Sequence, residues 1–309
     1  GRNCLLCVSP PPPFPTTNLC PELESRRVDQ HDVDFPSAFL NLAQPPKAVW
    51  VAGALAIASP PAVAIVGTRH ATAYGLRIAR AIAITCARAG VCVVSGLARG
   101  IDGAAHEGAL EAGGRTVAVL GTNLGVSYPR QHQALQLRIA RDGLLITEAK
   151  PGEGIHAGTF PRRNRLIAAL SQLVVVVEAG PKSGAQLTVS HAHTLGLRVA
   201  AVPGLIDSPQ AYGTNRLLRD GADVIAEPDD VLALLNIDAS PVAKPFLSGD
   251  DAGVWDALTA GAADIPTLAR RAGISTRNAA GAVSALEIAG LVHVDVLGNV
   301  QSSAGSAKC

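Results

Sequence analysis

Residues 91–121 read VCVVSGLARGIDGAAHEGALEAGGRTVAVLG. The run VCVVS has strand length and no polar alternation. Two glycines, Gly96 and Gly100, then bracket Arg99, and the small residues from Gly103 to Ala112 are compatible with a helix. A second apolar run follows at 116–121. A strand, a glycine turn, a helix and another strand make a βαβ unit, and continuous apolar strands are what helices covering both faces of a parallel sheet require.

The same alternation extends in both directions, with apolar runs at 62–66, 144–147, 173–177 and 198–202 separated by helix-compatible segments. It predicts an α/β fold with a doubly wound, mostly parallel sheet. Residues 1–35, which begin with a proline run at 10–13, read as an irregular leader. FPSAFLNLAQPPKAVWVAGAL at 35–55 reads as a short helix, a Pro-Pro turn and an edge strand. The main domain therefore spans 36–235. A Pro and Ser stretch at 236–250 reads as a linker. Helical spacing in VWDALTAG, IPTLARRAG and STRNAAGAVSALEIAG, followed by the hairpin LVHVDVLGNVQ, predicts a small winged-helix domain over 251–301, with a tail at 302–309.

The net charge of the 309 residues is only +1, which argues against a protein that coats nucleic acid through a global positive field. The charge is segregated, however. Residues 67–220 carry 17 Lys and Arg against 9 Asp and Glu, and the remainder of the chain is acidic. A polyanion site, if present, is therefore local and central. The winged-helix segment, with 3 Arg against 6 Asp and Glu over 250–301, is a poor duplex binder and reads as a protein-contact or regulatory unit.

Cysteines at 4, 7, 20, 86, 92 and 309 form no regular framework, which fits a reducing cytoplasm. The Cys4-x-x-Cys7 pair has no second half, and Cys20 and His31 are poorly spaced to supply one, so no metal or other cofactor is expected. With no run of 18 apolar residues and no secretory signal pattern, neither a membrane span nor secretion is expected.

Ligands of open α/β sheets collect beyond the carboxyl ends of the strands, where helix N-termini present free N–H groups. The loops predicted at that rim carry the chemistry. After strand 62–66, Gly67 permits close approach and Arg69 projects a charge. After 91–95, Ser95, Gly96, Arg99 and Gly100 resemble a phosphate cradle, without the G-x-G-x-x-G spacing or the acidic residue of a dinucleotide site and without a Walker A lysine. FPRRNRLI places Arg162, Arg163 and Arg165 around Asn164 at the start of a helix predicted over 165–171. Guanidinium groups suit phosphate, and an Asn suits phosphate or a base edge, although pairing with Glu148 or Glu178 is the bland reading. Lys182, Ser183 and Gly184 follow strand 173–177. Arg130 lies in TNLGVSYPR beside Tyr128, either a stacking face or plain core.

SGLARGID at 95–102 and FPRRNRLI at 160–167, with GTR at 67–69, YPR at 128–130 and KSGAQLT at 182–188, together resemble the DprA/Smf family over about residues 36–235. The resemblance implies a Rossmann-like domain that dimerises, binds single-stranded DNA in a positively charged pocket and loads the RecA recombinase in natural transformation. It makes Arg69, Arg99, Arg130, Arg162, Arg163, Arg165 and Lys182 the candidates for phosphate contact. Two positions depart from the family pattern: His132 stands where an Asn follows YPxx, and SGAQLT replaces SGSLIT.

The alternative reading is a phosphoribohydrolase-like, nucleotide-processing enzyme of the same superfamily. It needs an acidic group beside a GG-x-GT loop, which is missing; the nearest acidic residues, Asp102, Glu148 and Glu178, occupy strand ends, where an unpaired carboxylate could act as a base. No G-x-S-x-G elbow is present, and His106, His132, His156, His191 and His193 lack metal-ligand spacing. The sequence therefore reads as a binding protein, not an enzyme.

Overall fold

The computed structural model describes residues 23–154, 158–237, 249–258, 261, 263–288, 291–295 and 298–302. The chain separates into two compact units, residues 1–238 and 239–309.

In the first unit, nine strands build one sheet: β1 (Arg26–Asp29), β2 (Ala48–Gly53), β3 (Ala62–Val66), β4 (Cys92–Ser95), β5 (Thr116–Val119), β6 (Leu144–Thr147), β7 (Leu173–Val176), β8 (Arg198–Ala201) and β9 (Asp223–Val224). Their spatial order is β1-β2-β6-β5-β4-β3-β7-β8-β9. The strands from β6 to β9 are parallel, whereas β2 runs antiparallel to β6 and β1 antiparallel to β2. From β3 the chain winds outward through β4, β5 and β6, then returns to the other side of β3 as β7. The winding direction thus reverses between β3 and β7, where a doubly wound sheet opens a crevice at its carboxyl edge.

The helices between the strands are α1 (Ala73–Arg88), α2 (Ile101–Glu111), α3 (Gln133–Asp142), α4 (Thr159–Ala169), α5 (Ala185–Thr194), α6 (Tyr212–Arg219) and α7 (Asp230–Leu234). Alternate strand residues divide the core. Ala62, Ala64 and Val66 pack with Leu166, Ile167 and Val189 of α4 and α5. Val63 and Ile65 pack with Ile82, Cys86, Ile101 and Val231 of α1, α2 and α7. Leu135 and Ile139 of α3 cover Ala118 and Leu145. Both faces of β3, β4 and β7 are therefore buried, which explains their unbroken apolar runs.

The second unit contains α8 (Gly249–Leu258), β10 (Ala263–Asp264), α9 (Ile265–Ala272), α10 (Thr276–Ile288), β11 (Val292–Val294) and β12 (Asn299–Ser302), with an antiparallel sheet ordered β10-β12-β11. Val254, Leu268, Val283, Leu286, Val292 and Val300 form its core. Asp264 caps α9 by accepting from Thr267 N at 2.9 Å, and Gly273 ends the helix at φ 69°.

Four expectations change. Residues 26–35 are not leader: β1 lies on the sheet, and Val28 and Phe35 enter the core. The charges of RRVD had hidden a strand that forms the sheet edge, where charge is tolerated. In consequence β2 is interior rather than an edge. The linker is shorter than 236–250, since Ile237 packs on the core and Gly249 and Asp250 belong to α8; residues 238–248 lie outside the described residues. Two short strands, β9 and β10, had too few residues to show a pattern. Cys4, Cys7, Cys20 and His156 also lie outside the described residues. Among the described residues, no helix is long and apolar enough to cross a membrane, and no cluster of three or more His, Cys, Asp or Glu side chains could hold a metal ion.

Candidate nucleic-acid interface

A pocket of about 430 Å³ opens at the winding reversal, over the carboxyl ends of β3 and β7. Gly67, Thr68, Arg69 and His70 line it from the β3–α1 loop, Ala98 and Asp102 from the β4–α2 segment, Phe160, Arg163 and Asn164 from α4, and Lys182, Ser183, Gly184 and Leu187 from the turn into α5. Arg69 and Lys182 are exposed. The Arg69 guanidinium sits 5.3 Å from the centroid of the Phe160 ring, which in turn lies 5.0 Å from the ring of Tyr128. The pocket thus offers two exposed cations and an aromatic ring, a combination suited to a phosphate chain bearing flat bases.

Glycine makes this approach feasible. A Cβ on Gly67 would strike the Ile101 side chain and the Glu178 carbonyl, so only glycine lets the β3–α1 loop lie on α2. Gly100 adopts φ 78° at the start of α2, where a Cβ would strike the Thr68 carbonyl, and Ile101 N donates to Thr68 O at 3.3 Å. The two glycine turns therefore brace each other at the pocket floor.

The arginine motif divides. α4 begins at Thr159 rather than 165, because Pro161 falls in the first turn, where its missing N–H costs nothing. That start puts the four motif residues on different faces of one helix. Asn164 faces the pocket and donates to Gly184 O at 3.2 Å. Arg163 points inward: its guanidinium donates to Gly96 O at 2.5 Å and to Val119 O, and its Nε donates to Asn164 Oδ1 at 3.1 Å. Burial lowers its pKa to about 10, with Asp102 opposing that shift and Arg69 adding to it. Arg165 is held by both carboxylate oxygens of Glu148 at 2.6 Å and donates to Gln44 O. Arg162 is exposed and lies 3.4 Å from the same carboxylate, on a smaller neighbouring pocket of about 270 Å³. The expectation that all three guanidinium groups converge on one phosphate site is therefore corrected. Arg165 is held by Glu148, the pairing the sequence had allowed, whereas Arg163 is held by the backbone carbonyls of Gly96 and Val119.

Ser95 and Gly96 are likewise interior. Ser95 Oγ donates to Ile65 O at 2.7 Å, and Gly96 covers Arg163. Arg99 and Arg130 are exposed but do not line the pocket. His132, at the departed family position, places Nδ1 3.0 Å from Leu97 O and packs against Gly103. Phe160 went unremarked in the sequence, although an aromatic beside the arginines of a chain with only 5 Phe was an available signal.

The three strand-end carboxylates all have partners. Asp102 accepts from Gly96 N at 3.1 Å and Ala98 N at 3.3 Å; burial raises its pKa, against the pull of Arg163 and those two N–H groups. Glu178 accepts from Thr72 N at 2.9 Å and Thr72 Oγ1 at 2.5 Å at the start of α1. Glu148 holds Arg165.

The family model of DNA recombination-mediator protein A matches residues 26–236. A Mycobacterium tuberculosis (strain H37Rv) relative carrying the DprA name is 42% identical over 259 residues, which cover 80% of this chain and 67% of that protein. Protein Smf of Synechocystis is 40% identical over 208 residues, covering 66% of this chain and 52% of the relative. Among solved structures, DNA processing protein A of Streptococcus pneumoniae superposes with a TM-score of 0.65 at 36% identity, covering 70% of this chain and 75% of the other. The corresponding protein of Helicobacter pylori, reported for its single-stranded DNA binding mode, gives 0.63 at 30% identity and covers 70% and 97%. On these matches, the chain belongs to the DNA recombination-mediator protein A family.

Proposed function

We propose that this protein binds single-stranded DNA in the pocket between β3 and β7, without catalysing a reaction on it, and delivers the strand to the RecA recombinase during DNA processing in natural transformation. The observation that carries the reading is the pairing of exposed Arg69 and Lys182 with the Phe160 ring in one open pocket. Phosphates meet the cations, and a base meets the ring. The Helicobacter pylori relative, described by its single-stranded DNA binding, supports the same ligand class.

A nucleotide-processing enzyme would require a carboxylate available as a base. Asp102, the one carboxylate on the pocket wall among the described residues, accepts two backbone N–H groups, which favours binding over turnover. The protein works in the cytoplasm as a homodimer in this reading, and the second unit acts as a winged helix in protein contact. A salt-titrated gel shift comparing single and double strands tests it. Single strands should bind more tightly, and Arg69→Ala and Lys182→Ala should each weaken them. Equal affinity for the two forms, or release of free base from a nucleoside monophosphate, would refute it.

A further inference from the structure

The loop between β8 and α6 presents two apolar side chains to water on a backbone that is firmly held. Leu205 is 76% exposed and Ile206 98% exposed. Gly204 exchanges two hydrogen bonds with the Asn215 side chain, N to Oδ1 at 3.1 Å and Nδ2 to O at 2.9 Å. Ser208 N donates to Leu205 O at 3.1 Å, so Ile206 and Asp207 form the tip of a closed turn. The Tyr74 hydroxyl reaches Pro203 O at 3.5 Å. A loop so pinned holds its apolar tip out of the core, so the two aliphatic side chains stay in water unless a ligand covers them.

Its position identifies the partner. β8 is the neighbour of β7, so the loop leaves the same carboxyl rim as the pocket. Its far end is tied to the pocket wall: Ala179 N donates to Gln210 O at 2.7 Å, Gly213 N donates to Ala179 O at 2.6 Å, and Gly180, a pocket residue, faces the Pro209 carbonyl. Leu187, itself exposed, adds an apolar side chain to the pocket lining. Leu205 and Ile206 alone supply far less area than the roughly 800 Å² that a stable protein interface buries on each partner. Unpaired bases need only a small apolar face, and Leu and Ile side chains serve as wedges between base steps.

We infer that Leu205 and Ile206 form a second base-contacting site, which takes nucleobases of the strand next to those held in the pocket between β3 and β7. This inference rests on the single-stranded DNA reading of that pocket. The cations at the pocket hold the phosphates, and the turn separates or stacks on the bases beyond them. Asp207, exposed at the tip, keeps phosphates away from the turn and favours bases there.

The test uses the full chain and its Leu205→Ser/Ile206→Ser double variant, with fluorescence anisotropy on oligothymidylate and on a strand of equal length made of abasic sites. The expected result is a loss of about three- to tenfold in affinity for oligothymidylate, no loss for the abasic strand, and an unchanged melting temperature and molar mass by light scattering. Equal affinity of variant and wild type for oligothymidylate overturns the inference and leaves the pocket reading standing. Equal losses on both strands, or a halved molar mass, also overturn it, since the turn would then act on the backbone or between copies of the chain. Failure of the wild-type protein to bind either strand refutes the pocket reading itself.

Discussion

The guanidinium of Arg163 fills the space that a side chain on Gly96 would occupy: a Cβ built there would lie 2.5 Å from Cζ, and Nη1 donates to the Gly96 carbonyl at 2.5 Å. An arginine of α4 thereby fastens the β4 loop, and through Val119 O the end of β5. These bonds tie the β4 loop and the end of β5 to α4 beneath the exposed cations.

Under the proposed function, Arg163 serves stability and Arg69 serves ligand binding. Arg163→Ala leaves two buried carbonyls without a donor and should cost about 3 kcal/mol of folding stability, read as a lowered denaturation midpoint. Arg69→Ala should leave the midpoint unchanged while weakening single-strand binding. The opposite pattern would mean that the roles are exchanged.

Gly96→Ala should destabilise by about 1–3 kcal/mol, because the new methyl group displaces a packed guanidinium. Combined with Arg163→Ala, it should cost less than the two single effects added, since the space is then free. A double-mutant cycle by urea unfolding measures the coupling, and strict additivity would contradict the packing described.

Each cation that neutralises a phosphate steepens the plot of log K against log salt by roughly 0.7 for single strands. Arg69→Ala and Lys182→Ala should each lower that slope by about this amount, and Arg165→Ala, whose guanidinium is held by Glu148, should leave it unchanged. Salt titrations of the three variants separate DNA contacts from internal pairs.

His106 is completely buried, with Nδ1 2.7 Å from Thr116 Oγ1, and Nε2 has no hydrogen-bond partner among the described residues. Since the Thr116 hydroxyl donates to Val93 O, Nδ1 carries the proton. Burial lowers the pKa from 6.5 to about 3, and His132 and Arg163 add to the effect. The unfolded chain therefore binds the extra proton first: stability is full above pH 6.5 and falls as the pH drops from there towards 3. At pH 5 the loss from this residue should be about 2 kcal/mol. His106→Asn, neutral throughout, should flatten the change between pH 7 and pH 5; an unaltered slope would show that other groups cause it.

How much of this was readable beforehand follows from the range of the interactions involved. The parallel strands at 62–66 and 173–176 were visible because burial on both faces leaves no polar position in them. β1 was not visible, since only Val28 of RRVD is buried and the arginines lie exposed at the sheet edge. The helix of the arginine motif was placed six residues late, because its first turn contains Pro161 and no apolar repeat.

By itself, the sequence determined the winding of the sheet, the rim on which the loops gather and the residue types available there, because these depend on local patterns and on the handedness of connections. Only the tertiary structure decided which cations face solvent. Arg162, Arg163 and Arg165 are adjacent in the chain, but one turn of helix aims them at water, at two buried carbonyls and at Glu148 respectively. Their partners lie 14 to 67 residues away, and a charge paired at that distance leaves no mark in its own neighbourhood of sequence.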